Sequence, residues 1–459
     1  MKRVKSIYII LLSVFILSGC DDDNSGNPSF AADELPKIFM EWSNTFIFDL
    51  NEVIKMTPQV SPSDNATYKW TVDGKVVSTD IVLEYTVTEK EPFELKFEVE
   101  RNGKSTSRTA KVEVIKPFIP KSYTNMVMGV VSESGTADAI PWENITHLLV
   151  TSLLVNNESG QLQVPTGDAF KNMTNLVKLA HNQGVYVMVD VAGPMNEISG
   201  VGGYDQTSLY KVAINPEKRT VLIKNLKEYV SKHNLDGINI SMNSANNEIS
   251  GLQEQEKLAD FMNEVVAAFP KDGTAVVGKP GNFVTASVPM TWDNDVHFKY
   301  IANVPDIDWV NLMLFGLIDL VPGQHAATGW VSDHMTKFVN LGVPTSKMLI
   351  GIPAFGVTYD IPVGTTPSWV TIDNYITYPK YVDILKMTDA DATKDYLEAG
   401  NKKTYYTGIG TSWGANVASK IAQMNSVGST KGMFIWKLDF DSTDQTTSIT
   451  KAVYDGLNP

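Results

Sequence analysis

The chain has 459 residues, 43% of them hydrophobic, and 52 acidic against 38 basic side chains give a formal net charge of −14. That length predicts two or more domains with sizeable cores, and the acidity argues against nucleic acid or an anionic polymer as ligand. A single cysteine excludes a disulfide framework, and with no H-E-x-x-H, C-x-x-C, calcium-loop or phosphate-loop spacing, no metal and no cofactor are expected.

Residues 1–20 read as a targeting segment to be set aside from the fold. Lys2, Arg3 and Lys5 precede a mostly apolar run, Ile7 to Leu17, that is too short to span a bilayer. Leu17-Ser18-Gly19-Cys20 resembles a bacterial lipobox, which implies cleavage before Cys20 and its acylation. Acyl chains on Cys20 would hold the protein on a membrane. Asp21-Asp22-Asp23 resembles the surface-export signal of Bacteroidetes lipoproteins; an acidic start to a solvated linker is the alternative. The resemblance implies a cell-surface-exposed outer-membrane lipoprotein, beside outer-membrane glycan-transport partners. Removing 1–20 takes three basic and no acidic residues, leaving 35 basic against 52 acidic, or −17.

Residues 21–35 read as a flexible tether. Residues 36–117 read as all-β, with alternating segments at 45–50, 68–72, 81–87, 93–99 and 110–115. Asp73-Gly74 and Asn102-Gly103 are two-residue hairpin turns. Tyr68-Lys69-Trp70-Thr71-Val72-Asp73-Gly74-Lys75 is similar to the core strand of PKD and immunoglobulin-like modules, with Trp70 the core tryptophan of a small Ig-like sandwich. The module reads as a spacer, with direct glycan binding as the alternative.

Residues 118–459 follow a proline-punctuated hinge, Lys116-Pro117-Phe118-Ile119-Pro120. Apolar, doubly buried strands are expected at 126–131, 147–155, 185–191, 237–242, 283–288, 309–315, 348–352 and 432–436. Helices are expected at 168–182, 216–233, 254–269, 331–341 and 416–426. Gly184 supplies a C-cap and Pro216-Glu217 a helix start. Eight βα units predict an α/β fold, a (β/α)8 TIM barrel, with a long insertion over roughly 357–408.

Residues 236–243 read Asp-Gly-Ile-Asn-Ile-Ser-Met-Asn. This resembles the D-G-x-D-x-D-x-E signature of glycoside hydrolase family 18, the chitinase and endo-N-acetylglucosaminidase family. Met348 to Gly356 and Gly432 to Asp439 are similar to its seventh and eighth strands, and Val187 to Gly193 sits where the family has S-x-G-G. The resemblance covers essentially all of 121–459. It also locates the departures. Asn239 and Ser241 replace aspartates, Asn243 replaces the glutamate proton donor, and in Met313-Leu314-Phe315-Gly316 a tyrosine and an aspartate of M-x-Y-D are gone. A glycosidase needs a carboxylic acid to protonate the leaving oxygen, and Asn243 has no titratable proton. The resemblance assigns Trp436 to the floor of the sugar site, where a flat ring stacks on pyranose CH groups.

The ligand-contact candidates are Trp436, Asn243, Ser241, Asn239, Asp190, Met313, Phe315 and Trp292, with Trp413 weaker. Asp190 is either a sugar contact or a satisfied structural carboxylate. Glu248 is a candidate displaced acid, and Asp319, Asp360, Asp439 and Asp441 follow strands without an assigned partner. Three readings follow: a surface glycan-binding lipoprotein on an inactive barrel, an active glycosidase with a displaced acid, and a protein-interaction scaffold.

Overall fold

The computed structural model describes residues 31, 34–192, 208–241, 252–269, 271, 282–289, 300–410 and 414–459. Cys20, Asn243, Glu248, Trp292 and Trp413 lie outside the described residues. The chain divides into two compact units between Val114 and Ile115.

The first unit is all-β. Its main sheet runs, in spatial order, Thr45–Asp49, Lys104–Ile115, Phe93–Arg101, Ala66–Val72 and Lys75–Ser78. Two further strand pairs join Lys37–Phe39 to Gln59–Ser61 and Val53–Met56 to Leu83–Thr86. Asp73-Gly74 and Asn102-Gly103 both adopt positive φ, the conformation a tight hairpin turn demands. Trp70 is fully buried, 4.4 Å from the Phe97 ring, and its indole N–H donates to Asp80 O. The end of the segment expected to be a flexible tether is instead pinned. Arg101, itself buried, donates from Nη1 to Ala31 O and Glu34 O and from Nη2 to Asp64 Oδ2 at 2.7 Å.

The second unit is a closed parallel barrel. Its strands are β1 (Met126–Val131), β2 (His147–Val155), β3 (Tyr186–Ala192), β4 (Gly237–Ser241), β5 (Phe283–Pro289), β6 (Trp309–Met313), β7 (Met348–Pro353) and β8 (Gly432–Trp436). Each pairs with the next in parallel, and β8 pairs with β1 to close the ring. Helices cover the outside because both faces of a parallel sheet must be buried. The helix Pro216–His233 starts where Asn215 caps Glu217 N and Lys218 N, and ends at Asn234 with φ 56°. The helix expected over 168–182 is two, Asp168–Lys171 and Met173–Asn182, separated at Asn172.

The barrel's N-terminal end is closed by rings. His147, fully buried, lies 4.9 Å from Tyr186, 5.6 Å from Phe283 and 5.7 Å from Trp309. The hinge segment packs there too: Phe118 stacks on His181 at 4.2 Å, and His181 Nε2 meets Asp236 Oδ2 at 2.7 Å. At the other end, the insertion after β7 builds its own antiparallel sheet from Val357–Asp360, Ile376–Thr377, Tyr396–Ala399 and Lys402–Tyr405.

Candidate functional site

Barrel sites occur at the C-terminal ends of the strands, so those ends are built up strand by strand. Register aligns Asp190, Asn239, Thr285 and Trp309 as neighbours across β3 to β6. One step toward the mouth, Ser241, Ser287 and Asn311 form a second row. Adjacent parallel strands in register point their side chains the same way, and these rows point inward as one buried polar network. Asn239 is its hub. Its Nδ2 donates to Asp190 Oδ1 (2.6 Å), Ser287 Oγ (2.8 Å) and Ser241 Oγ (3.1 Å). Its Oδ1 accepts from Thr285 Oγ1 (2.7 Å) and Asn311 Nδ2 (2.9 Å). Trp309 Nε1 closes the chain on Asn311 Oδ1 at 2.9 Å.

Asp190 is the carboxylate in this network, and it is 1% exposed. It accepts from Ser152 Oγ, Asn239 Nδ2 and, at 2.7 Å, Ser241 Oγ. Burial holds its carboxyl above the usual carboxylate range, while hydrogen bonds from Ser152, Ser241 and Asn239 pull the other way. Every one of these hydrogen bonds comes from the barrel's own side chains. Asn239 is fully buried, with both amide atoms engaged in the network. Ser241 is 5% exposed and tied to the same pair.

The β6–β8 side has a different character. Phe315 lies 5.9 Å from Phe355, 6.2 Å from Phe434 and 6.2 Å from Trp436, whose plane it approaches at 34°. Gly351 makes room for this cluster: a Cβ there would fall 2.6 Å from Phe315 Cε1 and 2.7 Å from Phe434 Cζ. Phe315, Trp436 and Met313 are each 8% exposed. Gly316, where the signature has an aspartate, has φ +86°, a left-handed conformation that favours glycine. Lys437 Nζ lies 5.3 Å from the Trp436 ring and 5.5 Å from Phe440, and Lys380 Nζ lies 4.8 Å from Phe440, within cation–π range.

The carboxylates after the strands find structural partners. Asp439 accepts from Ser132 N and Oγ, tying β8 to β1. Asp441 accepts from Ser448 Oγ, Ile449 N and Thr450 N, holding the start of the last helix, Ile449–Leu457. Asp360 faces Lys402 at 3.4 Å in solvent, and Asp319 accepts from Leu320 N. Sequence reasoning missed Ser152, Thr285, Ser287 and Asn311. Polar residues at every second position of β5, an otherwise apolar buried strand, were the available signal. Among the described residues, no three His, Cys, Asp or Glu side chains gather as a metal site.

The closed parallel barrel, its helical sleeve and a polar-to-aromatic C-terminal mouth define a (β/α)8 barrel. Residues 125–441 match glycosyl hydrolases family 18, and the chain belongs to that family. Residues 36–101 match the PKD-like domain. Two chitinase-like effectors are similar in sequence. The one from Moniliophthora perniciosa is 24% identical over 285 residues, covering 57% of this chain and 58% of the effector. The one from Moniliophthora roreri is 21% identical over 266 residues, covering 55% and 60%. The alignments thus span less than two thirds of these relatives. Among solved structures, a class V chitinase from Nicotiana tobaccum matches with TM-score 0.56 at 17% identity, covering 73% of this chain and 99% of that one. A chitinase from Bacteroides thetaiotaomicron matches at 0.54 and 18%, covering 72% and 96%. A family 18 chitinase from Cycas revoluta in complex with (GlcNAc)3 matches at 0.56 and 17%, covering 72% and 99%. At these identities the likeness is one of fold.

Proposed function

We propose that this family 18 barrel binds a glycan at its C-terminal mouth and does not hydrolyse it. One observation carries the reading: β4 presents no acid. Asn239 and Ser241 offer an amide and a hydroxyl already committed to Asp190, and residue 243 is an amide in the sequence. Asp190 retains a carboxyl, but it is buried and its oxygens accept from Ser152, Asn239 and Ser241. Binding a sugar needs no titratable group. Trp436 and Phe315 supply apolar ring surface at the same mouth, with Met313 beside them at the end of β6. The complex of the Cycas revoluta chitinase with (GlcNAc)3 supports an N-acetylglucosamine-containing ligand. The name chitinase-like effector, carried by both Moniliophthora relatives, supports a role other than turnover.

Two measurements test this. Prolonged incubation with chitotetraose and with high-mannose N-glycans is expected to yield no product above a blank. Product that disappears in Glu248→Gln would establish an active enzyme with a displaced acid. Calorimetry with the same glycans is expected to show binding that Trp436→Ala weakens by about 1–3 kcal/mol. Undiminished binding by a folded Trp436→Ala variant would move the site off the mouth, leaving the PKD-like module as the next candidate.

We further propose that Cys20 is lipidated and that the protein is an outer-membrane lipoprotein displayed at the cell surface, where it works beside glycan-transport partners. Leu17-Ser18-Gly19-Cys20 and the following aspartates support this. Cys20→Ala should shift the protein from the membrane fraction to the soluble fraction; retention on the membrane would remove the anchor assignment.

A further inference from the structure

Apolar side chains at turn tips are unusual, because Gly, Asn, Asp, Ser and Pro supply turns while large apolar groups favour burial. The insertion after β7 has two such turns within one short segment. In Pro362-Val363-Gly364-Thr365, Thr365 N donates to Pro362 O, and Val363 at the tip is 88% exposed. In Ser368-Trp369-Val370-Thr371, Thr371 N donates to Ser368 O, and Trp369 and Val370 at the tip are 61% and 89% exposed. The second turn is locked twice over, since Ser368 N also donates to Thr371 Oγ1 at 2.9 Å. Among the described tryptophans, Trp369 alone is exposed.

The mount beneath these turns is rigid. Ile361 and Ile372 flank the segment and pack into a small core with Val357, Tyr359, Ile376, Ile318 and Leu320. The loop after β6 joins that core, and Tyr405 OH donates to Pro322 O beside the exposed Val321. Turns closed by their own hydrogen bonds, with packed residues at both ends of the segment, leave less to order when a contact forms.

We propose that this pair of turns is a contact platform for an extended, uncharged polysaccharide. The surrounding chemistry selects that partner. Residues 361–372, bordered by Asp360 and Asp373, contain no charged side chain, and Thr365, Thr366, Ser368 and Thr371 are their hydroxyl-bearing side chains. An indole face with neutral hydroxyls matches a pyranose ring, which offers CH groups on its face and hydroxyls at its edge. An anionic membrane surface would meet no basic residue in the segment and the repulsion of the whole acidic chain. The insertion leaves from the C-terminal end of β7, so the platform belongs to the same end of the barrel as the mouth. A polymer can engage both; a short oligosaccharide in the mouth need not reach the turns.

The proposal rests on the glycan-binding reading for its class of ligand, and the experiment separates the two. Full-length protein is sedimented with chitin particles, and binding of soluble chitotetraose is measured in parallel. Trp369→Ala is expected to weaken particle binding by about tenfold while leaving chitotetraose binding unchanged, and Trp369→Phe is expected to lose less. Particle binding unchanged in Trp369→Ala would overturn the platform and leave the mouth reading intact. Absence of binding to both chitotetraose and particles by the unsubstituted protein would overturn both. A Trp369-dependent association with phosphatidylglycerol vesicles, or a Trp369-dependent dimer by ultracentrifugation, would assign the turns to another partner and overturn the proposal. Unchanged thermal unfolding of Trp369→Ala, expected for an exposed side chain, certifies that the comparison is between folded proteins.

Discussion

Two sides of one barrel mouth are built differently. On the β3–β5 side, amides and hydroxyls fill the space with a hydrogen-bond network around Asp190. On the β6–β8 side, the space around Phe315 is filled by rings. The polar side is constrained by pairing, because any donor or acceptor left alone in the interior costs about 1–3 kcal/mol. The aromatic side is constrained by volume, because interiors are close-packed. The first should therefore react sharply to charge and the second to size.

Ser241→Asp breaks the comparison hardest. It sets a second carboxylate against Asp190 Oδ1, where Ser241 Oγ now donates at 2.7 Å. A cost on the order of 3–5 kcal/mol is expected in urea unfolding of the barrel, with most of it recovered in the Asp190→Ser, Ser241→Asp double variant. If the single variant were as stable as the parent, the network would not be holding this side together.

Next comes acid. Burial depresses His147 and His325 to about 3. Their folded values lie below the unfolded value near 6.5, so their contribution is complete above about 6.5. It is lost progressively as pH falls from there toward 3. Asp190 and Asp441 act in the opposite direction, because burial raises both above 3.8 and stability falls as pH rises through that window. The thermal midpoint should drop between pH 7 and 4. Replacing both histidines with glutamine should flatten the drop, and Asp190→Asn should steepen it. Equal slopes in all three proteins would detach these groups from the acid response.

Gly351→Ala sharpens the aromatic half. Its methyl would collide with Phe315 and Phe434, and overpacking of this kind costs about 1–3 kcal/mol in denaturant unfolding. Phe315→Tyr is the mildest change: a volume-similar swap at a nearly buried ring should cost under about 1.5 kcal/mol. It should not restore hydrolysis, because it returns a hydroxyl and no acid. Appearance of turnover in Phe315→Tyr would overturn the proposal that the barrel binds without hydrolysing.

What the sequence determined by itself was whatever depends on neighbours along the chain. Eight apolar runs became eight barrel strands because doubly buried strands need no alternation. Asp73-Gly74 and Asn102-Gly103 became hairpin turns because positive φ is a local demand, and Trp70 sat in the sandwich core. Only the tertiary structure decided the partners of Asp190. Its donors come from β2 and β4, so nothing near it in sequence names them. The same holds for Arg101, whose partners Asp64, Ala31 and Glu34 lie at least 37 residues away. It holds also for Trp369, whose exposure depends on how two turns stand on a small core gathered from two separate loops. Backbone preference is written residue by residue, but burial and pairing exist only once distant strands have met.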